Sequence, residues 1–250
     1  MKNKIIILLT LTGILIGLLV ALPVISQDKQ YHSFADTISL LGISNVMNVL
    51  SNIPFVIIGI IGLVISMKET DSYLPKTAMI CFFIAVVLTG FGSAYYHIEP
   101  NNTTLVWDRI PMTITFMSLL AMIVSLHINK RWGELLLFPL LVLGIISVVY
   151  WFITEQDGHG DLRPYIFVQF YPMIAIPLIA FLFPIKGVFV KILLPMIGFY
   201  IVAKCLEHMD DEIYSITNGL SGHTLKHVFS ALAIMPVLNI QKIYKKEVII

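Results

Sequence analysis

Gly90-Phe91-Gly92-Ser93-Ala94-Tyr95-Tyr96-His97 and, shortly after it, Trp107-Asp108-Arg109-Ile110-Pro111-Met112 place a Ser, a His and an Asp at the edges of two apolar runs. Ser93 and His97 are four apart, so on a helix they share one face. Asp108 lies 11 residues beyond His97, at the start of the next run. A connection that short makes the two flanking helices neighbours, with both polar ends at one membrane surface. Near the far end of the chain, Gly222-His223-Thr224-Leu225-Lys226-His227 supplies a second i, i+4 pair, now of two histidines. These pieces read together as one intramembrane metal site.

The sequence around them is almost uniformly apolar. The 250 residues are 58% hydrophobic and 12% charged, the composition of a polytopic membrane protein. A net charge of +1 gives no reason to expect nucleic acid as a partner. Cys81 and Cys205 both fall inside apolar runs and read as free packing residues. A membrane-spanning helix needs about 20 mostly apolar residues. Eight runs qualify: 5–25, 46–67, 77–97, 109–128, 135–153, 164–184, 188–207 and 223–241. The first follows a basic start, with Lys2 and Lys4. Val24-Ile25-Ser26 fits a signal-peptidase site, but an apolar core of about 21 residues exceeds the usual 7–15. Residues 1–27 therefore read as an uncleaved anchor in preference to a signal segment, followed by a seven-span unit over 28–250.

With the N-terminus in the cytoplasm, eight spans put Lys2, Lys4, Lys68, Lys76, Lys130, Arg131, Lys186, Lys191, Lys242, Lys245 and Lys246 on the cytoplasmic side, 11 of the 16 basic residues. The opposite loops hold Lys29, Arg109 and Arg163, and Lys204 and Lys226 sit within spans. That is the positive-inside pattern, with both termini cytoplasmic. His97, Asp108, His223 and His227 then meet at one depth, just below the extracytoplasmic surface.

Three neutral imidazoles suit a catalytic zinc, which keeps a fourth position for water and lowers that water's pKa towards neutrality. Asp108 is placed to accept the proton and pass it to the leaving group. Ser93 is placed to hydrogen-bond a developing oxyanion. Each residue also has a plainer reading. His97 alone would serve as a helix–helix hydrogen-bonding group, Ser93 as a small packing residue beside Gly90 and Gly92, and Asp108 as an interfacial charge paired with Arg109. Tyr95, Tyr96 and Trp107 look like an interfacial aromatic belt. His32, His127, His159 and His208 read as non-ligands. Lys204 and Glu207, three apart, read as a pair within the seventh span.

Gly92-Ser93-x-x-x-His97, Asp108-x-x-Pro111-Met112 and His223-x-x-x-His227 together resemble the alkaline ceramidases. Their superfamily includes the adiponectin/progestin receptors and GPI-remodelling lipid hydrolases. Asn48-Val49-Leu50-Ser51-Asn52 similarly matches the Asn-x-x-Ser-Asn of that family's first helix. The resemblance spans roughly 36–240 and leaves the first span as an addition. It implies an all-α, seven-transmembrane ceramidase-like bundle with its C-terminus inside. It also implies zinc on His97, His223 and His227, with Ser93 and Asp108 assisting attack on an amide. The animal ceramidases also carry an acidic calcium cluster. Here Asn45 stands where they have Glu, and Asp28 and Asp36 do not reproduce the rest, which argues against Ca2+. The expected function is that of an integral-membrane zinc hydrolase cleaving a ceramide-like lipid amide drawn from the bilayer. The rival readings are a lipid ester hydrolase of the same architecture, or a zinc-containing receptor or sensor without turnover. Transport finds little support, because outside Lys204 and Glu207 the other spans carry no ladder of charges.

Overall fold

Lipid offers no hydrogen bonds, so a chain crossing it must satisfy its backbone internally, and here it does so with helices. The computed structural model describes residues 1–246 and holds no strand among them. The last four positions of the 28–250 unit lie outside the described residues. Seven helical stretches are long and apolar enough to span a membrane. They are α1 (Lys2–Ala21), α2 with α3 (Val46–Leu50 and Ile53–Met67), α4 (Lys76–Ile98), α5 (Asn102–His127), α6 (Lys130–Gln156), α7 (Arg163–Leu182), and a π-helical turn at Phe189–Leu193 continued by α8 (Leu194–His208). A short amphipathic α9 (Asp210–Thr217) follows.

The expected eighth span, 223–241, is helical but not continuous. It divides into α10 (Gly222–Ile234), a 3-10 stretch over Met235–Asn239 and α11 (Ile240–Tyr244). Pro236 lies in the middle stretch; it has no N–H to donate and its ring crowds the preceding turn. The segment still crosses the bundle. His223 sits at one end, and just past α11 the Lys245 ammonium pairs with Glu69 at the other, 2.8 Å away. Further contacts define the same two ends. Lys4 donates to the Leu182 carbonyl (2.6 Å), His127 to that of Phe183 (2.7 Å), and Lys130 to that of Ser72. Opposite them, Arg163 donates to the Leu22 carbonyl (2.8 Å) and chelates Asp161, holding that carboxyl below its usual range. The chain therefore alternates between ends through eight crossings.

The core lies between α4 and α5, where Phe82, Phe83, Met117, Met122 and Ile123 are almost fully enclosed. By contrast α1 has no buried residue and packs along α7.

One contact between α4 and α5 sets up the site. Pro111 cannot donate to the Trp107 carbonyl one turn earlier, so that oxygen lacks its usual i+4 donor. Gly92 packs directly onto it: a Cβ at Gly92 would stand 2.0 Å from the Trp107 oxygen. Glycine and proline thus cooperate to bring Ser93 beside Asp108. The Gly92→Ala variant must push the helices apart. We expect a loss of about 1–3 kcal/mol or more of stability, the usual range for overpacking, read as a lowered Tm in detergent.

Candidate metal centre

His97 projects from the last turn of α4, and His223 and His227 from the first two turns of α10. That helix starts where it does because Ser221 caps it, its hydroxyl accepting the Thr224 N–H at 3.1 Å. Asp210 fixes the same turn by accepting the His223 N–H at 2.6 Å. The three imidazoles are buried, with ring centroids 4.9, 4.9 and 4.8 Å apart pairwise. One nitrogen from each lies within 4.8 Å of the other two. Two tetrahedral ligands about 2.1 Å from one zinc stand roughly 3.4 Å apart, so modest ring adjustments accommodate the ion.

Hydrogen bonding prepares the ligands. The Ser51 hydroxyl donates to the Asn48 carbonyl (2.9 Å), so it accepts from His227 Nδ1 at 2.8 Å. That fixes the His227 tautomer and leaves Nε2 bare for a metal. His97 Nδ1 is buried with no hydrogen-bond partner, as expected of a nitrogen meant for an ion. The residues present therefore fit zinc. Asn48 ties α2 to the start of α10, its side-chain oxygen accepting from Thr224 Oγ1 at 2.7 Å. The Asn-x-x-Ser-Asn pattern is visible in the sequence; that its Ser51 holds one of the three clustered histidines is not. Outer-shell partners typically contribute 10–100-fold in metal affinity, so Ser51→Ala should weaken zinc binding by about that factor in a competition titration with a chromophoric chelator.

Segment 22–45 straps over this end of the bundle. Phe34 lies against His97 and His223, ring centroids 4.6 and 4.5 Å away. Asp36, fully buried, accepts the backbone N–H groups of Ile38 and Asn48. Asp28 accepts the Gln30 N–H, and Asn45 donates to the His97 carbonyl at 2.9 Å. The side chains weighed for calcium are thus engaged with the strap's own backbone and with α4. His32 donates through Nε2 to Asn102 and accepts at Nδ1 from the Tyr96 hydroxyl, both at 2.9 Å, so neither nitrogen is free to ligate.

One expectation changes, and one plainer reading falls away. Tyr96 does not face the membrane interface: it is 2% exposed and turned towards His32 and Phe34, whereas Tyr95 and Trp107 do face outward. Nor is Asp108 paired with Arg109. The Arg109 guanidinium turns away, stacks over Trp151 and Tyr165 at 4.1 and 4.5 Å, and donates to Gln27 at 2.7 Å. Asp108 instead lies beside Ser93, and both line one end of a cavity. Lys204 and Glu207 do pair, at 2.6 Å, but a third member was missed: Lys226 reaches the other Glu207 oxygen at 2.7 Å.

Ser93, Asp108, Lys226 and His227 line one end of a cavity of about 520 Å3. Its remainder is apolar, walled by Phe82, Leu119, Ile176 and Leu193 among others. The cavity opens sideways. Helix α8 packs chiefly on α10 and meets α7 mainly through the π-helical turn, leaving a gap above it. Ile201, which lines the cavity, is 56% exposed on the bundle's flank.

A family model described as Ceramidase matches residues 39–186, more than half of the chain. Ser93, His97 and Asp108 fall within the match; His223 and His227 lie beyond it. No curated protein and no solved structure matches the chain.

Proposed function

The chain belongs to the ceramidase family, and from that premise we propose that it is an integral-membrane, zinc-dependent hydrolase of a lipid amide. The observation that carries this reading is the cavity: lipid-like walls ending on Ser93, Asp108 and a buried histidine. Zinc, held by His97, His223 and His227, would supply a Lewis acid that brings water's pKa near neutrality. The chain's own groups do the rest. Asp108 takes the proton of the attacking water and delivers it to the departing amine. Ser93 donates to the oxygen that gains charge as the carbonyl is attacked. The apolar cavity holds the acyl chain and excludes bulk water. In this reading residues 1–27 are a membrane anchor, 28–250 form the catalytic unit, both termini are cytoplasmic and the site lies near the extracytoplasmic face, as the lysine and arginine bias supports.

Purified protein incubated with a panel of lipid amides and esters, with and without a chelator, tests this by mass spectrometry of the products. Amide cleavage that chelation stops and zinc restores is the expected result. Cleavage of esters alone would transfer the reading to an ester hydrolase. Zinc binding without any turnover would favour a receptor or sensor.

A further inference from the structure

The geometry points to Lys226 as the residue that selects the substrate: a lipid amide bearing an anionic group, such as a carboxylate or phosphate, close to the scissile bond. The inference rests on the hydrolase reading above and deepens it. Lys226 immediately precedes His227 on α10 and lines the cavity together with Ser93 and Asp108. It is the one cation among the described lining residues. Its Nζ is 2.7 Å from Glu207 Oε1 and 3.3 Å from His223 Nε2, while Glu207 Oε2 is taken by Lys204 at 2.6 Å. Two ammonium groups thus share the Glu207 carboxylate, and the other acidic group that faces Lys226 is Asp108, on the same cavity end. Lys204 faces the outside, its side chain 41% exposed against 19% for Lys226. An ammonium has three donors. Glu207 uses one, and a histidine nitrogen engaged with a metal accepts none, so a donor remains for a ligand.

A positive charge on a lipid-like wall is costly and is a functional candidate by default. A neutral hydroxyl or carbonyl offers that donor an ordinary hydrogen bond, whereas an anion offers a charge-assisted one of roughly twice the strength. Ser93 and Asp108 come from α4 and α5 and Lys226 from α10. A substrate spanning the cavity end therefore meets acid–base groups on one wall and a cation on the other.

The test compares N-acylglycine with N-acylethanolamine of the same chain length, on wild type, Lys226→Met and Lys226→Arg. Lys226→Met leaves Glu207 paired with Lys204, so no carboxylate is orphaned. Wild type should prefer N-acylglycine by about tenfold or more in kcat/KM. Lys226→Met should raise KM for N-acylglycine about 10- to 100-fold, so that the preference over N-acylethanolamine is lost. Lys226→Arg should keep the preference. Equal use of both substrates by wild type overturns the inference, as does an equal kcat loss for both in Lys226→Met, which marks a role in turnover or structure. Binding of the two lipids, read as a Tm shift, separates the two levels. If nothing is hydrolysed but N-acylglycine stabilises more and Lys226→Met abolishes the difference, the hydrolase reading fails and the anion site stands. Equal Tm shifts overturn the anion site.

Discussion

On the proposed function, the Asp108→Asn variant should keep the zinc content of wild type and hydrolyse the lipid amide about 100- to 10,000-fold more slowly, the usual contribution of a general acid–base group. The expectation follows from where Asp108 stands. It lies across the cavity end from α10, beside Ser93, and is not one of the three clustered histidines. Asparagine keeps the shape, and the α4–α5 contact of Gly92 on the Trp107 carbonyl does not involve this side chain. What it cannot do is hold a proton between water and the leaving amine. Zinc content by elemental analysis and turnover by product mass spectrometry check the two halves separately. Undiminished turnover in Asp108→Asn would remove the residue from the mechanism.

A second variant acts on the ion itself. In His223→Ala, His227→Ala, two of three ligands vanish, and a single buried imidazole does not hold zinc against solvent. Bound metal should fall from about one per chain to near background, with turnover falling alongside. His97→Ala should do the same more gently, since two ligands on one helix face persist. Full zinc retention in the double variant would mean that the ion sits elsewhere. The readout is independent of substrate choice, so it tests the centre even if the right lipid is absent from the panel.

The chain shows unevenly in advance what it will do. Spans are legible because lipid imposes a crude rule, and the α4–α5 neighbourhood follows from the few residues between His97 and Asp108. The shared depth of His97, His223 and His227 follows from counting crossings, with no knowledge of packing. Other features needed the third dimension. Lys226 was visible as a lysine inside a span. Its partner Glu207 was assigned to Lys204 on i, i+3 spacing alone, because the third member arrives only when α8 packs on α10. Ser51 lies in a recognisable motif, yet its hydrogen bond joins residues 176 apart. Tyr96 was read with Tyr95 and Trp107 because an aromatic belt is an average property; the strap through His32 and Phe34 turns this one ring inward. An Arg109 pair stays open as the plainer reading of Asp108, because no sequence signal announces a cage of Trp151, Tyr165 and Gln27 for the guanidinium.

The gap between α7 and α8 changes what concentration means for this protein. A lipid that enters from the flank is drawn from the membrane around it and does not pass through the aqueous phase. The quantity that sets its occupancy is its mole fraction among neighbouring lipids. A fixed amount of substrate spread through twice as much inert phospholipid is half as available, although the amount per litre is unchanged. Rates measured in vesicles or micelles follow that surface dilution, and apparent KM values from preparations of different lipid load become comparable only on a mole-fraction scale. On the proposed function, remodelling the bilayer alone would change the rate, with neither the protein nor the total substrate altered.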